Sequence, residues 1–281
     1  MEKVRLNKFL SEMGICSRRE ADRLVEAGKV LVDGQPAVMG QKVSTEQRIV
    51  CDGKLVCDGN ADDQDHVGGQ MAAGPQEDAG GQMAAGPQEG RGAAGRRPEP
   101  VWLVVNKPRG IVCTTSDKDR AMNIVEMIGY PKRVYPVGRL DKDSEGLLLM
   151  TNQGLLMDAL LRGSHAHERE YEVRVDKPVT ESFLKGMAAG VELKELERTT
   201  RPCEVMATGK MSFRIVLTQG LNRQIRRMCQ VFGYRVMELK RVRIMNIHLG
   251  ALRPGTYRRM TKEEYAEMCR LLRMDRSAGR S

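Results

Sequence analysis

Hydrophobic and polar positions change period along the chain. Leu6, Phe9, Leu10 and Met13 recur at helical spacing, and Gly14 is placed to close that helix. Ser17-Arg-Arg-Glu20 reads as a capping box, with the Ser17 hydroxyl accepting an early backbone N–H while Glu20 reaches back. Ala21, Leu24 and Val25 supply the next helix's apolar face, which Gly28 ends. Lys29-Val-Leu-Val-Asp33-Gly34 predicts a strand entering a tight turn, and Val38, Val43, Ile49 and Val50 predict further short strands. Farther on, Val101-Trp-Leu-Val-Val105 predicts a strand that Asn106-Lys-Pro-Arg-Gly110 breaks and Ile111-Val-Cys-Thr-Thr115 resumes. Tyr171 to Val175 alternates as a half-buried strand should, Thr180 to Ala189 predicts a helix, and Phe213 to Leu217 another strand. Gly220 then precedes a basic helix from about Arg223 to Phe232. Strand runs broken by two or three helices predict an α+β domain on a substantial antiparallel or mixed sheet.

A composition break separates the two patterned blocks. Residues 58–100 are nearly devoid of large apolar side chains, and GGQMAAGPQE occurs at 68–77 and again at 80–89. Such a stretch buries too little apolar surface to offset chain entropy and predicts a disordered linker. The expected layout is a small domain at 3–57, the linker at 58–100, a larger domain at 101–268 and a frayed tail at 269–281. A length of 281 residues, at about 150 per domain, agrees with two domains.

Charge and cysteine usage narrow the class. Lys plus Arg number 46 against 37 Asp plus Glu, for a net charge of +9, which favours a polyanionic partner. Seven scattered cysteines with no C-x-x-C spacing read as reduced thiols of a cytoplasmic protein rather than disulfides or a zinc site. His165 and His167 have no cysteine nearby, and His66 and His248 are isolated, so no metal site is expected. No apolar run approaches the roughly 18 residues of a membrane span, and the charged N-terminus does not fit a signal peptide.

The densest candidate chemistry is Gly138-Arg-Leu-Asp141-Lys-Asp143-Ser-Glu145-Gly146-Leu-Leu-Leu. Its acidic spacing opens like a calcium loop, but Leu149 and Asn152 stand where a ninth- and twelfth-position ligand belong, and Pro131 and Pro136 forbid the incoming helix. Asp141 instead follows Leu140 and precedes a leucine-rich anchor, a setting in which a carboxylate can face a cleft on rigid backbone. Between 222 and 259, Arg223, Arg226, Arg227, Arg235, Lys240, Arg241, Arg243, Arg253, Arg258 and Arg259 oppose only Glu238. That imbalance reads as a phosphate-binding face, as do Arg18, Arg19 and Arg23 of the first domain.

LNKFLSEMGICSRREADRLVEAGKVLVDGQ resembles the S-four RNA-binding domain, named for a ribosomal small-subunit protein. VGRLDKDSEGLLLMTN at 137–152 resembles the catalytic motif of RNA pseudouridine synthases, in the branch that carries an S-four domain and modifies ribosomal RNA. NKPRG at 106–110, EREYEV at 168–173 and GLNRQIRRM at 220–228 are similar to that branch's other motifs, in the same order. Within the branch, CSRREAD, GLNRQIRRMC and RVRIMNI are most similar to the large-subunit enzymes of the F type. The resemblance implies an S-four domain followed by an α+β catalytic domain with a largely antiparallel sheet. It implies isomerisation of a uridine in ribosomal RNA, most closely of the large subunit, with no cofactor and no metal.

The resemblance also assigns roles. Asp141 takes the place of the catalytic aspartate, Arg226 of the arginine paired with it, Tyr171 of the tyrosine stacked on the target uracil, and Leu239 of the apolar residue closing the base pocket. Arg139 corresponds to the residue that fills the gap left by an extruded base, while Arg223, Arg227, Lys240, Arg241 and Arg243 remain candidate phosphate contacts. Asp143 and Glu145 read as structural. A monomer is expected. Two readings stay open: a non-catalytic RNA-binding assembly factor on the same fold, and a metal-dependent nuclease using Asp141, Asp143 and Glu145.

Overall fold

The computed structural model describes residues 3–59, 99–114, 122–161 and 167–272. Most of the expected linker, both copies of its repeat, His66 and His165, and the tail beyond Leu272 lie outside the described residues. The chain divides into two compact units, Met1–Glu99 and Pro100–Ser281.

The first unit contains β1 (Val4–Arg5), α1 (Leu6–Glu12), α2 (Arg18–Glu26), β2 (Val30–Val32), β3 (Gln35–Pro36), β4 (Lys42–Val43), β5 (Arg48–Cys51) and β6 (Lys54–Asp58). The Ser17 side chain accepts from the Glu20 N–H, as the pattern predicted. Glu20 does not complete the box: its carboxylate pairs with Arg23 at 3.3 Å, where a guanidinium offers charge that the backbone amide lacks. Asp33 and Gly34 both have positive φ, 53° and 79°, the geometry that joins β2 and β3 in a two-residue hairpin. Asp33 also accepts from the Arg48 N–H at 2.8 Å, locking the turn to β5. Val38 joins no strand and lies exposed. Leu6, Phe9 and Leu10 pack with Ala21, Val25, Val30, Val32 and Ile49 in one core, which leaves Arg18, Arg19 and Arg23 on the exposed side of α2.

In the second unit the described elements are β7 (Trp102–Lys107), α3 (Ile124–Ile128), β8 (Tyr135–Val137), β9 (Glu145–Thr151), α4 (Gly154–Leu161), β10 (Arg169–Val175), α5 (Glu181–Ala189), β11 (Glu192–Leu193), β12 (Arg198–Thr199), β13 (Glu204–Gly209), β14 (Ser212–Leu217), α6 (Gln224–Val231), β15 (Val236–Ile244), β16 (Ile247–His248), β17 (Tyr257–Arg259) and α7 (Lys262–Leu271). Nine of these strands form one sheet, ordered β13-β14-β10-β15-β9-β7-β17, with β16 beside β15 and β8 beside β9. Pairing is antiparallel except between β15 and β9. The architecture is the α+β arrangement with a largely antiparallel sheet that the sequence predicted. The expected end at 268 falls inside α7, whose capping box on Thr261 starts a helix that runs to Leu271.

Central strands β7 and β9 are buried on both faces. Leu147 and Leu149 pack with Trp102 and Val104 on one side, while Leu148 and Met150 pack with Leu103 and Val105 on the other. Burying each of these leucines contributes about 2 kcal/mol. Ile111 to Thr114 do not resume the strand. Pro108 lacks an N–H, Gly110 turns the chain at φ 88°, and Val112 makes one isolated bridge to Asn123.

Two contacts rigidify the end of β9. Gly146, at φ 104°, lies so close to β15 that an added Cβ would stand 2.3 Å from the Arg241 carbonyl oxygen. Lys107, at the end of β7, is fully buried, and its Nζ donates to the Ser144 carbonyl at 2.7 Å and the Pro108 carbonyl at 2.9 Å. Burial pushes its ammonium below the ordinary 10.5, against the upward pull of Cys113 and the nearby carboxylates Asp143, Asp141 and Glu145.

Two outcomes are expected. Gly146→Ala forces β9 away from β15 and destabilises the second unit by about 2 kcal/mol or more, read from urea midpoints; an unchanged midpoint contradicts the close approach. Between the lowered folded value and 10.5, Lys107 binds fewer protons folded than unfolded, so its contribution makes stability rise with pH across that window. Lys107→Met removes this slope, and parallel stability–pH curves for the two proteins would count against the assignment.

Candidate active site

The segment 138–144 crosses from β8 to β9 and is tied down from below. Gly110 N–H donates to the Lys142 carbonyl at 2.8 Å, Leu140 N–H to the Cys113 sulfur at 3.4 Å, and Ser144 N–H to the Asp141 carbonyl at 3.1 Å. Leu140 is buried among the side chains of α3 and β7, and the Lys107 clamp holds the segment's far end. Asp141 therefore rides on fixed backbone while its side chain stays one-third exposed, at 34%.

Asp141 stands on a wall shared by two clefts. One, of about 500 Å³, is lined by Tyr171, Arg169, Leu239, Arg241 and Ile225. The other, of about 870 Å³, is lined by Arg109, Cys113, Lys142, Arg226 and Met237. Arg139, Leu140, Asp141 and Arg223 border both. The first cleft thus brings together Asp141, Arg139, Tyr171 and Leu239, and both clefts are within the 300–1,000 Å³ typical of ligand sites, roughly.

The arginine beside Asp141 differs from the expected one. Arg223 Nη1 is 3.7 Å from Asp141 Oδ2. Arg226 pairs with Asp143 at 3.3 Å and donates to the Val236 and Asp143 carbonyls at 3.2 and 3.0 Å. The reason is local backbone. Arg223 sits at the N-terminus of α6 in the left-handed region, φ 51°, which swings its side chain over the segment. Arg226, one turn into the helix, is only 14% exposed and is spent on carbonyls beneath. Arg223 also grips Asp143 with both Nη atoms at 3.1 Å. Burial pushes the Asp143 carboxyl up, but the hydrogen bonds of Arg223 and the charges of Arg226 and Arg223 outweigh it and hold it below the usual carboxylate range. The same contact raises Arg223, while burial lowers Arg226. Glu145 pairs with Arg109 at 3.7 Å, so Asp143 and Glu145 each have their own cation, consistent with structural roles.

The basic run does not form one phosphate-binding face. Glu170 opposes Arg243 and Glu172 opposes Lys240 across β10 and β15, so these residues share one side of the sheet. Arg243 is neutralised there by Glu170 at 2.7 Å and Glu168 at 2.9 Å. Arg227 pairs with Glu195, and Arg258 with Glu264 at 2.7 Å. A register shift between Glu170 and Tyr171 leaves Val242 unpaired and puts Arg241 opposite Tyr171, on the cleft side with Leu239. Arg241 is buried, 4% exposed, and donates through Nε to the Leu147 carbonyl at 2.7 Å. A count of charges along the sequence is blind to such partners, which arrive from distant strands and helices. Two residues escaped that reading. Lys107 was signalled only by a charge ending an apolar run, and Arg169 only by its place two positions before Tyr171 on the same strand face.

Comparison with known proteins identifies relatives of both units. The family model described as RNA pseudouridylate synthase matches residues 101–231, and the S4 domain model matches residues 4–49. "Dual-specificity RNA pseudouridine synthase RluF" of Escherichia coli K12 is 42% identical over 270 residues, covering 96% of this chain and 79% of the relative. The protein of the same name from Salmonella typhi is 41% identical, with 96% and 80% covered. "Ribosomal large subunit pseudouridine synthase B" of Bacillus subtilis is 28% identical, with 92% and 93% covered. A solved structure, "Crystal structure of pseudouridylate synthase", superposes with TM-score 0.61 at 23% identity, covering 94% of this chain and 99% of that one, which supports the fold. Among the described residues, no helix is long and apolar enough to cross a membrane. With relatives this similar over four-fifths of their length, an S4 domain ahead of the synthase sheet, and the motif aspartate in the cleft, the chain belongs to the RNA pseudouridine synthase family, isomerases acting on RNA, and is of the RluF type.

Proposed function

We propose that the chain converts a uridine of ribosomal RNA to pseudouridine, and that Asp141 is the carboxylate that does so. The observation carrying this reading is the placement of Asp141: a partly exposed carboxylate on rigid backbone, facing the cleft of Tyr171 and Leu239, with Arg223 at 3.7 Å. The names of relatives such as the large-subunit enzyme of Bacillus subtilis support ribosomal RNA as substrate. The N1–C1′ bond of uridine breaks, the uracil turns, and C5 bonds to C1′. C5 gives up its proton to solvent and N1 gains one. Product and substrate have the same composition, so the reaction consumes no oxidant or co-substrate. The carboxylate acts as nucleophile or assists departure of the base, and either role requires it ionised.

The base enters the cleft only after leaving its stack, at a cost of a few kcal/mol, roughly. Tyr171 and Leu239 supply stacking and apolar walls for it, and Arg139, which borders both clefts, fills the gap it leaves in the RNA. In the first unit, exposed Arg18, Arg19 and Arg23 hold structured RNA at its phosphates. The protein acts on ribosomal RNA as a cytoplasmic monomer without a cofactor.

The test uses ribosomal RNA labelled with tritium at uracil C5. Wild-type protein releases the label to water and Asp141→Asn releases none. RNA binding without release across several ribosomal RNAs would establish the non-catalytic assembly factor instead, and chelator-sensitive strand cleavage the nuclease. Arg223→Gln lowers kcat on the order of 100-fold, because its guanidinium lies beside the reacting carboxylate. Full kcat in Arg223→Gln together with loss in Arg226→Gln would return the pairing role to Arg226.

A further inference from the structure

Among the described residues, two guanidinium groups of the first cleft that are at least partly buried, Arg169 and Arg241, have no counter-ion. Among the described residues, neither Arg169 nor Arg241 forms an ion pair with a carboxylate. Asp141, the carboxylate of this cleft, is engaged by Arg223, and Glu168, Glu170 and Glu172 belong to the opposite side of β10, where Arg243 and Arg214 take up Glu168 and Glu170. Arg241 is more than nine-tenths buried, and its Nη2 is sealed from solvent with no hydrogen-bond partner. Arg169 donates one long bond, 3.4 Å, to the His167 carbonyl. Both line one wall of the cleft, Arg241 opposite Tyr171 and Arg169 two positions before Tyr171 on β10; burial disfavours the charge on Arg169 most, Tyr171 favours it and Arg241 disfavours it.

A buried guanidinium lacking both a counter-charge and a full set of acceptors is a costly arrangement. A second one beside it adds repulsion. A uracil carbonyl would accept one N–H but leave the repulsion in place. An anion with two free oxygens offsets both, and the planar fork of arginine suits such a ligand. Each nucleotide of the substrate brings one such anion, its phosphodiester.

We propose that Arg241 and Arg169 form an internal seat for one phosphodiester flanking the extruded uridine, so that the cleft grips the nucleotide by its backbone as well as its base. This deepens, and rests on, the reading of the cleft as the uridine site. It moves the role of Arg241 from an outer basic face to the interior. Gly146 contributes indirectly, because only a residue without Cβ lets β9 approach the Arg241 backbone.

The experiment uses the full chain and an RNA fragment spanning the modified uridine. Neutral methylphosphonate replaces, one at a time, the phosphates on either side of that uridine. For wild-type protein, one of the two replacements raises KM roughly tenfold or more, the loss expected for charge-assisted hydrogen bonds. Arg169→Gln and Arg241→Gln show a similar loss on unmodified RNA, and the same methylphosphonate then adds nothing further. Equal KM for all three RNAs with wild type, or losses that multiply when variant and replacement are combined, would overturn the proposal. The wild-type and Arg169→Gln arms decide the matter even if Arg241→Gln does not fold. Absence of tritium release from unmodified RNA by wild type would instead mark failure of the functional reading.

Discussion

The candidate catalytic carboxylate depends on a charge buried beneath it. Lys107 ends a strand whose first four residues are apolar, and its ammonium is fully enclosed, held by two carbonyls of which one belongs to Ser144. Enclosing a charge is expensive, and its hydrogen bonds offset part of that cost only if the segment 138–144 stays in place. Gly110 and Cys113, just beyond the same strand, fix Lys142 and Leu140. The motif NKPRG thus never touches the first cleft, yet it determines where the Asp141 side chain can point.

The second constraint is the pairing of β15. It is parallel to β9 and antiparallel to β10, and it accepts one unpaired residue, Val242, along the way. That bulge is a small device with a large consequence. It brings Leu239 and Arg241 onto the cleft side with Tyr171, and leaves Lys240 and Arg243 with the glutamates of β10. Bulges next to binding sites re-aim side chains in this way, and here one splits a basic string, sending Arg241 to the cleft and leaving Lys240 and Arg243 on the face of the β10 glutamates.

Electrostatics in the site are correspondingly local. Arg223 links Asp141 to Asp143, so one guanidinium registers both carboxylates against the start of α6. Arg226 supports Asp143 from below and is largely spent on backbone carbonyls. The network fixes positions more than it adds stability, since the Asp143 side chain is half exposed and solvent screens its ion pairs.

Periodicity and motif order determined most of the architecture. The α2 cap at Ser17, the hairpin at Asp33-Gly34, strand β10, helix α5 and helix α6 all follow from local preferences that few tertiary contacts oppose. The motif resemblance also singled out Asp141, Tyr171 and Leu239, which the fold lines along one cleft. Tertiary structure alone decided the rest. Whether Ile111 continues a strand, which arginine reaches Asp141, and which cations of the run 222–259 meet an acid from another element are questions of register and distance. A charge written in the sequence has no partner until the fold supplies one, and a one-residue bulge suffices to change which face a side chain joins.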